Sequence, residues 1–412
     1  MLIEGGDAHH LARSLRARPG EEIAVVDPDG FMLTVRLEVV TPVRVEGAVT
    51  SERPHQPEPA ARITIAIANL PAQSRAAAGR LFTVSTTIGR LDAPPEMHAW
   101  ITKLFGSVDA VREQRIVRVT NEITFEGALF NDLRAMRPME VKGADEVRQT
   151  VAAAANDPFD HPLTGTPADS FGRIEGEHGI TASNVAKYDG YHGVLVFTEH
   201  DPLAPVDAAT IRDHLTTTRR WGEAALAADP AARYLFVMWN CLWRAGGSIV
   251  HGHMQMTATR GQHYPKVEAL RRQALAYSAS EGDYFDDLWL VHSALGLGTE
   301  IEGARAMASI VPIKEREVLI LGRPGAAETS LAPAIARTVA TYRALGVMSY
   351  NMALYLPPLS PDGEDWRRFP PIARLVDRGD PANKTSDIGA MELYAASVIA
   401  SDPFRLADAL RG

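Results

Sequence analysis

Residues 246–256, GGSIVHGHMQM, place two imidazoles and an amide at alternate positions beside a Gly-Gly-Ser turn. On an extended strand, His251, His253 and Gln255 point to one face, and the residues between them face the core. This set suits attack on phosphorus, with a neutral imidazole as nucleophile, a carbonyl fixing its other nitrogen, and amide and hydroxyl groups holding phosphate oxygens. The pattern therefore favours chemistry at phosphorus. The alternative is that His253 is a strand histidine satisfied by a core hydrogen bond.

The composition limits the classes of partner. The chain has 412 residues, of which 46% are hydrophobic and 23% are charged, as is ordinary for two or three globular domains. Its formal net charge of −9 provides no overall basic field for nucleic acid or a membrane surface, so local arginines must hold any anionic substrate. The first residues, MLIEGGDAHH, lack the features of a signal peptide, and no apolar run approaches membrane-spanning length. We expect a soluble cytoplasmic protein.

Cys241 is the only cysteine of the chain. A single thiol excludes an internal disulfide and any zinc site built from several cysteines. Nothing near it in the sequence resembles a cysteine–histidine pair, so we do not expect Cys241 to be a nucleophile.

Secondary-structure signals change in character at about residue 75. Before it, β-type runs at Glu22–Val26, Met32–Val40 and Arg62–Ile67 alternate with turn signals such as the DPDG of 27–30, which predicts a small β-barrel. Beyond residue 80, strands and helices alternate. The predicted strands are Gly193–Thr198, Arg233–Trp239, Asp287–His292 and Val347–Tyr355, and the predicted helices are Asp207–Ala228, Tyr264–Ser280 and Ser330–Leu345.

The order of these elements favours an α+β fold, because strands outnumber helices and many connections are meander-like. Two stretches, 193–256 and 347–392, each read as a strand pair ending in a polar loop, which indicates an internal duplication. We expect a barrel over 1–75, a first half with the nucleophile motif over 76–262, and a second half over 263–412.

The N-terminal region resembles a known RNA-linked module. The strings HHLARSLRARPGEEIAVVDPDG and RITIAIANLPAQSR are similar to the N-terminal PUA-like β-barrel of trefoil-knot ribosomal RNA uridine methyltransferases. The resemblance covers about residues 7–75, and no methyltransferase knot follows it. It implies either an RNA-binding accessory module or a small barrel reused for packing, and the region is not strongly basic.

A second resemblance extends over about residues 115–411. The spacing N-x7-S-x2-H-x-H-x-Q is met by Asn240, Ser248, His251, His253 and Gln255. An upstream R-A-x-R-P element is met by Arg134, Arg137 and Pro138. Here the chain resembles the galactose-1-phosphate uridylyltransferase branch of the histidine-triad (HIT-like) superfamily, together with its diadenosine tetraphosphate phosphorylase relatives. The resemblance implies a duplicated HIT-like fold of antiparallel sheets with flanking helices.

The same resemblance implies a ping-pong reaction. His253 would attack the α-phosphorus of a nucleoside diphosphate sugar or dinucleotide, and a second phosphate would then remove the nucleotide. Gln255 and Ser248 would hold non-bridging oxygens, while Arg134 and Arg137 would offset phosphate charge unless they are ordinary surface arginines. No cofactor is required for this chemistry.

Three more positions belong to this predicted site. A backbone carbonyl near Gly247 would fix the tautomer of His253. Asn240, and Asn184 in the segment SNVAKYDGYHGVLVFTEH, would contact the nucleotide. For each asparagine, turn capping is the alternative role.

Family members often carry a C-x-x-C pair and two histidines as a structural zinc site. The matching residues here are Asp157, Asp160, His200 and His251, so carboxylates replace both thiolates. This set can still bind a divalent ion, with less preference for zinc than sulfur gives. Hydrogen bonds among the same side chains are the alternative, and we do not assign a metal from the sequence.

Two departures concern the acceptor. The second-half H-x-H of sugar-phosphate transferases, associated there with iron, has no histidine in the matching stretch Asp365–Phe369, where Arg367 and Arg368 add charge or are simply exposed. Glu392 aligns with a glutamate that contacts sugar hydroxyls, but Val398 stands where a sugar-contacting glutamine is expected. Galactose is therefore in doubt as the substrate.

The sequence supports a nucleotidyltransferase similar to hexose-1-phosphate uridylyltransferases. A dinucleoside polyphosphate or nucleotide-sugar phosphorylase is a close alternative. From another class, a non-catalytic nucleotide- or RNA-binding protein remains open. The expected partners are a nucleotide or nucleotide sugar and a phosphorylated acceptor, without a membrane, and the family resemblance suggests a homodimer.

Overall fold

The computed structural model describes residues 2–4, 18–26, 31–54, 63, 66–67, 69–131, 133–134, 144–383 and 386–412. They form two compact units, Met1–Glu58 and Pro59–Gly412. Among the described residues, no helix combines the length and the apolar character that a membrane crossing requires. The domain boundaries expected at 75 and 262 stay predictions.

The N-terminal unit contains one antiparallel sheet of four strands in the order β1-β4-β3-β2. Its strands are β1 (Leu2–Glu4), β2 (Glu22–Val26), β3 (Phe31–Val40) and β4 (Arg44–Pro54). Alternate residues Val35 and Leu37 are buried, each with 1% of its surface exposed, which gives the sheet one apolar face. The predicted strands at 22–26 and 32–40 are confirmed.

The predicted strand at 62–67 is wrong. Its described members Ile63, Ala66 and Ile67 are helical. Their spacing, continued by Leu70, follows the helical period, and Ile63 is fully buried in the core of the second unit.

The second unit is a mixed α+β structure. Its strands are β5 (Phe82–Arg90), β6 (Glu113–Asn121), β7 (Gly127–Phe130), β8 (Gly179–Ser183), β9 (Tyr191–Phe197), β10 (Tyr234–Cys241), β11 (His253–Thr259), β12 (Gly298–Ile301), β13 (Ala304–Ala308), β14 (Val318–Leu321), β15 (Tyr350–Tyr355), β16 (Ile372–Asp377) and β17 (Ser397–Ile399). Its helices are α1 (Ala72–Leu81), α2 (Pro95–Phe105), α3 (Val108–Arg112), α4 (Ala144–Ala153), α5 (Pro162–Gly165), α6 (Ala208–Ala228), α7 (Pro265–Ser278), α8 (Tyr284–Ala294), α9 (Ala332–Ala344), α10 (Ala390–Tyr394) and α11 (Pro403–Arg411).

A nine-stranded antiparallel sheet carries the histidine motif. Its order is β12-β13-β14-β16-β15-β10-β11-β9-β8. The arrangement β8-β9-α6-β10-β11 recurs as β13-β14-α9-β15-β16, and the two halves meet where β10 pairs with β15. The sheet topology is thus that of an internal duplication.

Helices α6 and α9 pack against one another on one face of this sheet. Met254 and Met256 of β11 are fully buried, as expected for the core-facing positions of the motif. Gly193 on β9 permits close packing there, because a Cβ atom would lie 2.6 Å from the ring of Trp221. The opposite face of β9, β10 and β11 carries the polar side chains of the predicted site, including those of His253 and Gln255.

A smaller sheet, β17-β7-β6-β5, joins the large one through buried charges. Arg374 of β16, with 9% of its surface exposed, donates from Nε to Glu317 at 2.8 Å and from Nη1 to Glu126 at 2.6 Å. Glu126 lies in the turn between β6 and β7. The shared guanidinium fixes this contact, because removing Arg374 would leave the fully buried Glu317 without its cationic partner.

The strand predicted at Asp287–His292 is instead part of helix α8. Asp283 caps this helix by accepting backbone hydrogen bonds from Phe285 at 3.0 Å and Asp286 at 3.2 Å. Apolar positions such as Leu288 and Val291 then fall on one buried face.

Candidate active site

His253 begins strand β11 and has 5% of its surface exposed. Its Nδ1 lies 2.8 Å from the carbonyl oxygen of His251. Since a carbonyl only accepts, the proton is on Nδ1 and the lone pair is on Nε2. Burial lowers the pKa of His253, which favours the neutral form. No described residue is hydrogen-bonded to Nε2, so this nitrogen is available as a nucleophile.

The loop before the strand is shaped by two glycines. Gly246 has φ of +96°, and a Cβ atom on Gly247 would lie 2.9 Å from the carbonyl oxygen of Asn240. The prediction that a carbonyl near Gly247 fixes the tautomer of His253 is wrong. The carbonyl of His251 does so instead, because the backbone turns just before the strand begins. Ser248 is exposed on this loop.

Phe159 lies against the motif histidines. Its ring centroid is 5.2 Å from that of His253 and 6.1 Å from that of His251, both edge to face. The turn that holds it is built by carboxylates: Asp157 accepts from the N–H of Phe159 at 2.7 Å, and Asp160 accepts from that of Asn156 at 2.7 Å. The ring of Phe159 therefore packs against the nucleophile.

Gln255 follows on the same strand face with 9% of its surface exposed. Its Oε1 lies 3.0 Å from Nε2 of His192, a fully buried residue of β9. Asn184 lies beside the same ring, with Nδ2 3.3 Å from Nε2 of His192. The structure therefore places Gln255 and Asn184, two of the predicted site residues, beside a histidine that the motif did not indicate.

Asn240 stands at the junction of the two halves. Its Oδ1 accepts from Nδ2 of Asn351, directly opposite on β15, at 2.7 Å. Asn351 in turn accepts from Arg378 at 2.6 Å, and Arg378 forms a two-pronged pair with Asp387 at 2.8 and 3.1 Å. With its oxygen engaged, Asn240 keeps its amide hydrogens for a ligand.

The upstream arginines are only partly described. Arg134 follows β7 and is half-buried. Arg137 and Pro138 lie outside the described residues. The phosphate role of this segment stays a prediction.

The residues that were considered for contact with the acceptor substrate lie outside the β10–β11 hairpin. Glu392 in α10 accepts from the backbone N–H of Gly389 at 2.9 Å, which is a helix-capping contact. Val398 lies in β17, paired with Leu129 of the small sheet. Arg367 is 88% exposed and paired with Asp365 at 2.7 Å, so it belongs to the surface.

Asp157, Asp160, His200 and His251 converge as the family pattern predicted. Their ligand-type atoms lie within 4.8 Å of one another. His251 donates from Nε2 to the carbonyl of Phe197 at 2.8 Å, so its Nδ1 lone pair faces Asp160 at 3.1 Å and Nδ1 of His200 at 3.1 Å. Oδ2 of Asp157 is buried without a partner. This set of ligand atoms fits a divalent cation, because carboxylate oxygens and an imidazole lone pair converge and the buried Oδ2 of Asp157 has no other partner.

Hydrogen bonds also operate within this cluster. Nδ1 of His200 lies 2.8 Å from Asp160. Burial by itself would lower the pKa of His200, but the hydrogen bond to Asp160 and the charge of that carboxylate raise it. A proton on His200 and a bound cation are therefore competing ways of neutralising the same carboxylates.

Cys241 is buried between the halves and is not part of the site. Burial raises the pKa of its thiol to about 12, which keeps it protonated at neutral pH.

This chain is similar to one protein family in sequence and to several solved structures in fold. Residues 3–45 match the family model described as the RNA methyltransferase PUA domain. An ADP-glucose phosphorylase from Arabidopsis thaliana, solved with bound ADP-glucose, is 15% identical with a TM-score of 0.55, covering 71% of this chain and 97% of that chain. A galt-like protein from the same plant is 15% identical with a TM-score of 0.51, covering 62% and 92%. No curated protein matches this chain in sequence.

At these identities the likeness to the solved structures shows a shared fold. It confirms the predicted α+β class, and the predicted resemblance to the uridylyltransferase branch of the HIT-like proteins holds at the level of fold. The PUA match confirms the predicted resemblance at the N-terminus.

Proposed function

We propose that this protein is a nucleotidyltransferase that works through a nucleotidyl group covalently bound to His253. The observation that carries the proposal is the state of this ring. Nδ1 is held by the carbonyl of His251, and Nε2 keeps a lone pair on the sheet face that also carries two side chains able to donate to phosphate oxygens. Those side chains are the amides of Gln255 and Asn240.

In the first displacement, Nε2 of His253 attacks the α-phosphorus of a nucleoside diphosphate sugar or dinucleotide. The P–N bond forms as the bond from phosphorus to the bridging oxygen breaks, and the electron pair leaves with the sugar phosphate or nucleotide. No proton need move, because the leaving oxygen is already a phosphate oxygen. The ring becomes cationic, and the carbonyl of His251 stabilises this charge through the Nδ1 proton.

In the second displacement, an oxygen of an incoming phosphate attacks the same phosphorus. The P–N bond breaks, its electron pair returns to Nε2, and the ring regains its neutral tautomer. In the transition state of each displacement, the attacking and leaving atoms lie in line on either side of the phosphorus, and negative charge is spread over its equatorial oxygens. The amides of Gln255 and Asn240, and the exposed hydroxyl of Ser248, would donate to these oxygens.

The identity of the acceptor distinguishes two versions of this activity, transfer of the nucleotide to a hexose phosphate and phosphorolysis. Glu392 supports a hexose phosphate as acceptor, whereas Val398 and the absence of a second histidine pair in Asp365–Phe369 support inorganic phosphate. One protein of this fold is an ADP-glucose phosphorylase, which also supports the second version. We therefore infer a nucleotide-sugar donor, with phosphorolysis as the favoured reaction.

We further propose that Asp157, Asp160, His200 and His251 hold a divalent cation. Such an ion would tie the 157–160 turn to His251 and so support the backbone that holds the nucleophile. The chemistry at phosphorus does not pass through it. Two carboxylates in place of thiolates favour a harder ion than a cysteine site would take.

The PUA match supports a second candidate function, RNA recognition by the N-terminal unit. Residues 1–58 contain six arginines, no lysine and ten acidic residues. This balance offers little non-specific attraction to phosphates. Filter binding across a salt series tests the idea, and weak, salt-insensitive binding would exclude it.

The activity is tested by product analysis. The protein is incubated with ADP-glucose, UDP-glucose or diadenosine tetraphosphate, with either inorganic phosphate or galactose-1-phosphate as acceptor. We expect products from at least one donor only when an acceptor is present. Absence of acceptor-dependent products from all three donors would contradict the proposal.

A further inference from the structure

His192 is a buried histidine that takes part in neither of the two displacements at phosphorus. It lies on β9 opposite Thr257 of β11, with no exposed surface, and its Nε2 is 3.0 Å from Oε1 of Gln255. Tyr188 covers the ring in a stacked arrangement, with 4.4 Å between centroids. The ring is therefore held in one position, with its Nε2 beside two predicted site residues, Gln255 and Asn184.

The tautomer of His192 follows from a backbone contact. The N–H of Tyr188 donates to Nδ1 at 3.0 Å. A backbone N–H can only donate, so Nδ1 carries the lone pair and the proton of the neutral ring is on Nε2. Burial lowers the pKa of His192, which favours this neutral ring over imidazolium. Nε2 is thus a donor, and Oε1 of Gln255 is its acceptor.

Asn184 places a second amide beside the same ring nitrogen. Its Oδ1 accepts from the N–H of Ala186 at 2.9 Å, so the group 3.3 Å from Nε2 of His192 is the NH2. Two donors facing one another do not form a hydrogen bond. The hydrogens of Asn184 are therefore left for an acceptor outside the described protein, beside Gln255.

We propose that His192 is a positioning residue that holds Oε1 of Gln255 and so presents the NH2 group of Gln255 to the transferred phosphoryl group. The proposal deepens the function proposed above and rests on it. An amide is nearly symmetric in shape, and without a fixed donor it can turn by 180°. A turned Gln255 would present its oxygen to the phosphate oxygens, where two acceptors repel one another. His192 excludes this orientation.

Substitutions separate positioning from packing. His192→Phe keeps a ring under Tyr188 and removes the donor, whereas His192→Gln keeps an N–H donor. With ADP-glucose and inorganic phosphate as probe, or whichever donor the wild type uses, we expect His192→Phe to lower kcat by about 10- to 100-fold with little change in KM. His192→Gln should recover part of this loss. In a Gln255→Ala background, His192→Phe should have no further effect on kcat.

The matched control is His292→Gln. His292 is also fully buried, but its described hydrogen bonds are to backbone groups, from Nδ1 to Leu288 and from the N–H of Ile310 to Nε2. We expect it to change stability and leave kcat unaltered. An equal loss of kcat from His192→Phe with and without Gln255 would overturn the proposal, because the histidine would then act independently of the amide.

A measurement without substrate distinguishes this proposal from the proposed function. Nitrogen-15 correlation spectra of histidine-labelled protein report which ring nitrogen carries the proton, and the signal of His192 is assigned by its loss in His192→Gln. We expect the proton on Nε2. A proton on Nδ1 would overturn the positioning role even if the enzyme is active. If no donor reacts but the proton is on Nε2, the proposed function fails and the hydrogen-bond assignment stands.

Discussion

The carbonyl oxygen of His251 lies 2.8 Å from Nδ1 of His253. Two residues of one backbone segment thus set the tautomer of the nucleophile, with no side chain that can rotate away. His251 has a further task, since its own ring donates to the carbonyl of Phe197 and faces Asp160. The segment from His251 to His253 therefore links the acidic cluster to the attacking nitrogen.

Gln255→Ala is expected to lower kcat by about 10²- to 10³-fold, because a donor aimed at charge that develops in the transition state is lost. KM for the nucleotide donor should change much less. Steady-state kinetics test this prediction. The control is Thr257→Val, two residues further along the same strand face, which should have little effect on kcat. Equal losses in the two variants would contradict the role of Gln255.

Asn351→Ala is expected to lower kcat about tenfold although Asn351 is not itself a predicted ligand contact. The reason is that Asn351 holds Oδ1 of Asn240 at 2.7 Å and so directs the amide hydrogens of Asn240 to the ligand. Asn351→Asp keeps the size and the partner Arg378 but cannot donate, so it should lose similar activity with a smaller loss of stability. Full activity of Asn351→Asp would show that Asn240 needs no such support.

These supporting residues mark the limit of sequence reasoning. The spacing within residues 240–255 could be predicted because Asn240, His253 and Gln255 belong to one hairpin. His192 and Asn351 come from other strands, and the register that brings them to Gln255 and Asn240 is set by tertiary packing. No local pattern indicated either residue.

The wrong strand prediction at Asp287–His292 has a different physical reason. The string LWLVH is short and apolar, and such runs fit a strand or a buried helix equally well. The cap provided by Asp283, four residues upstream of the predicted strand, decided the outcome. By contrast, the α+β class and the duplication were predictable because they rest on many elements together.

The acidic cluster predicts a metal dependence. We expect purified protein dialysed against a chelator to bind close to one divalent ion per chain, and Tm to rise on binding because the ion stabilises the folded state. Titrations with Mn²⁺ and Zn²⁺, followed by elemental analysis and thermal unfolding, measure this effect. Asp160→Asn should abolish it, since Asp160 contacts both histidines. An unchanged metal content in Asp160→Asn would contradict the proposed site.

Stability should depend on pH through buried histidines. Burial lowers the pKa of His214, His263 and His292 to about 4, against 6.5 for an ordinary histidine. The unfolded chain takes up protons below pH 6.5 while these folded rings stay neutral, so their contribution is complete above 6.5 and is lost as the pH falls towards 4. Urea unfolding from pH 7 to 4 should show this decline.

His292→Gln tests that assignment, because a glutamine side chain does not titrate. The variant should have a shallower decline of the free energy of unfolding with falling pH, by up to about one proton in the linkage slope. A slope identical to that of the wild type would mean that His292 is not neutral in the folded protein.

The covalent intermediate is the most direct test of the central claim. Protein is incubated with ADP-glucose, UDP-glucose or diadenosine tetraphosphate labelled in the nucleotide, without an acceptor, then quenched in alkali and digested. We expect a base-stable, acid-labile nucleotidyl group on the peptide that contains His253, released by inorganic phosphate or a hexose phosphate and absent from His253→Ala. Label that persists in His253→Ala, or no label from any donor that the protein turns over, would contradict the account.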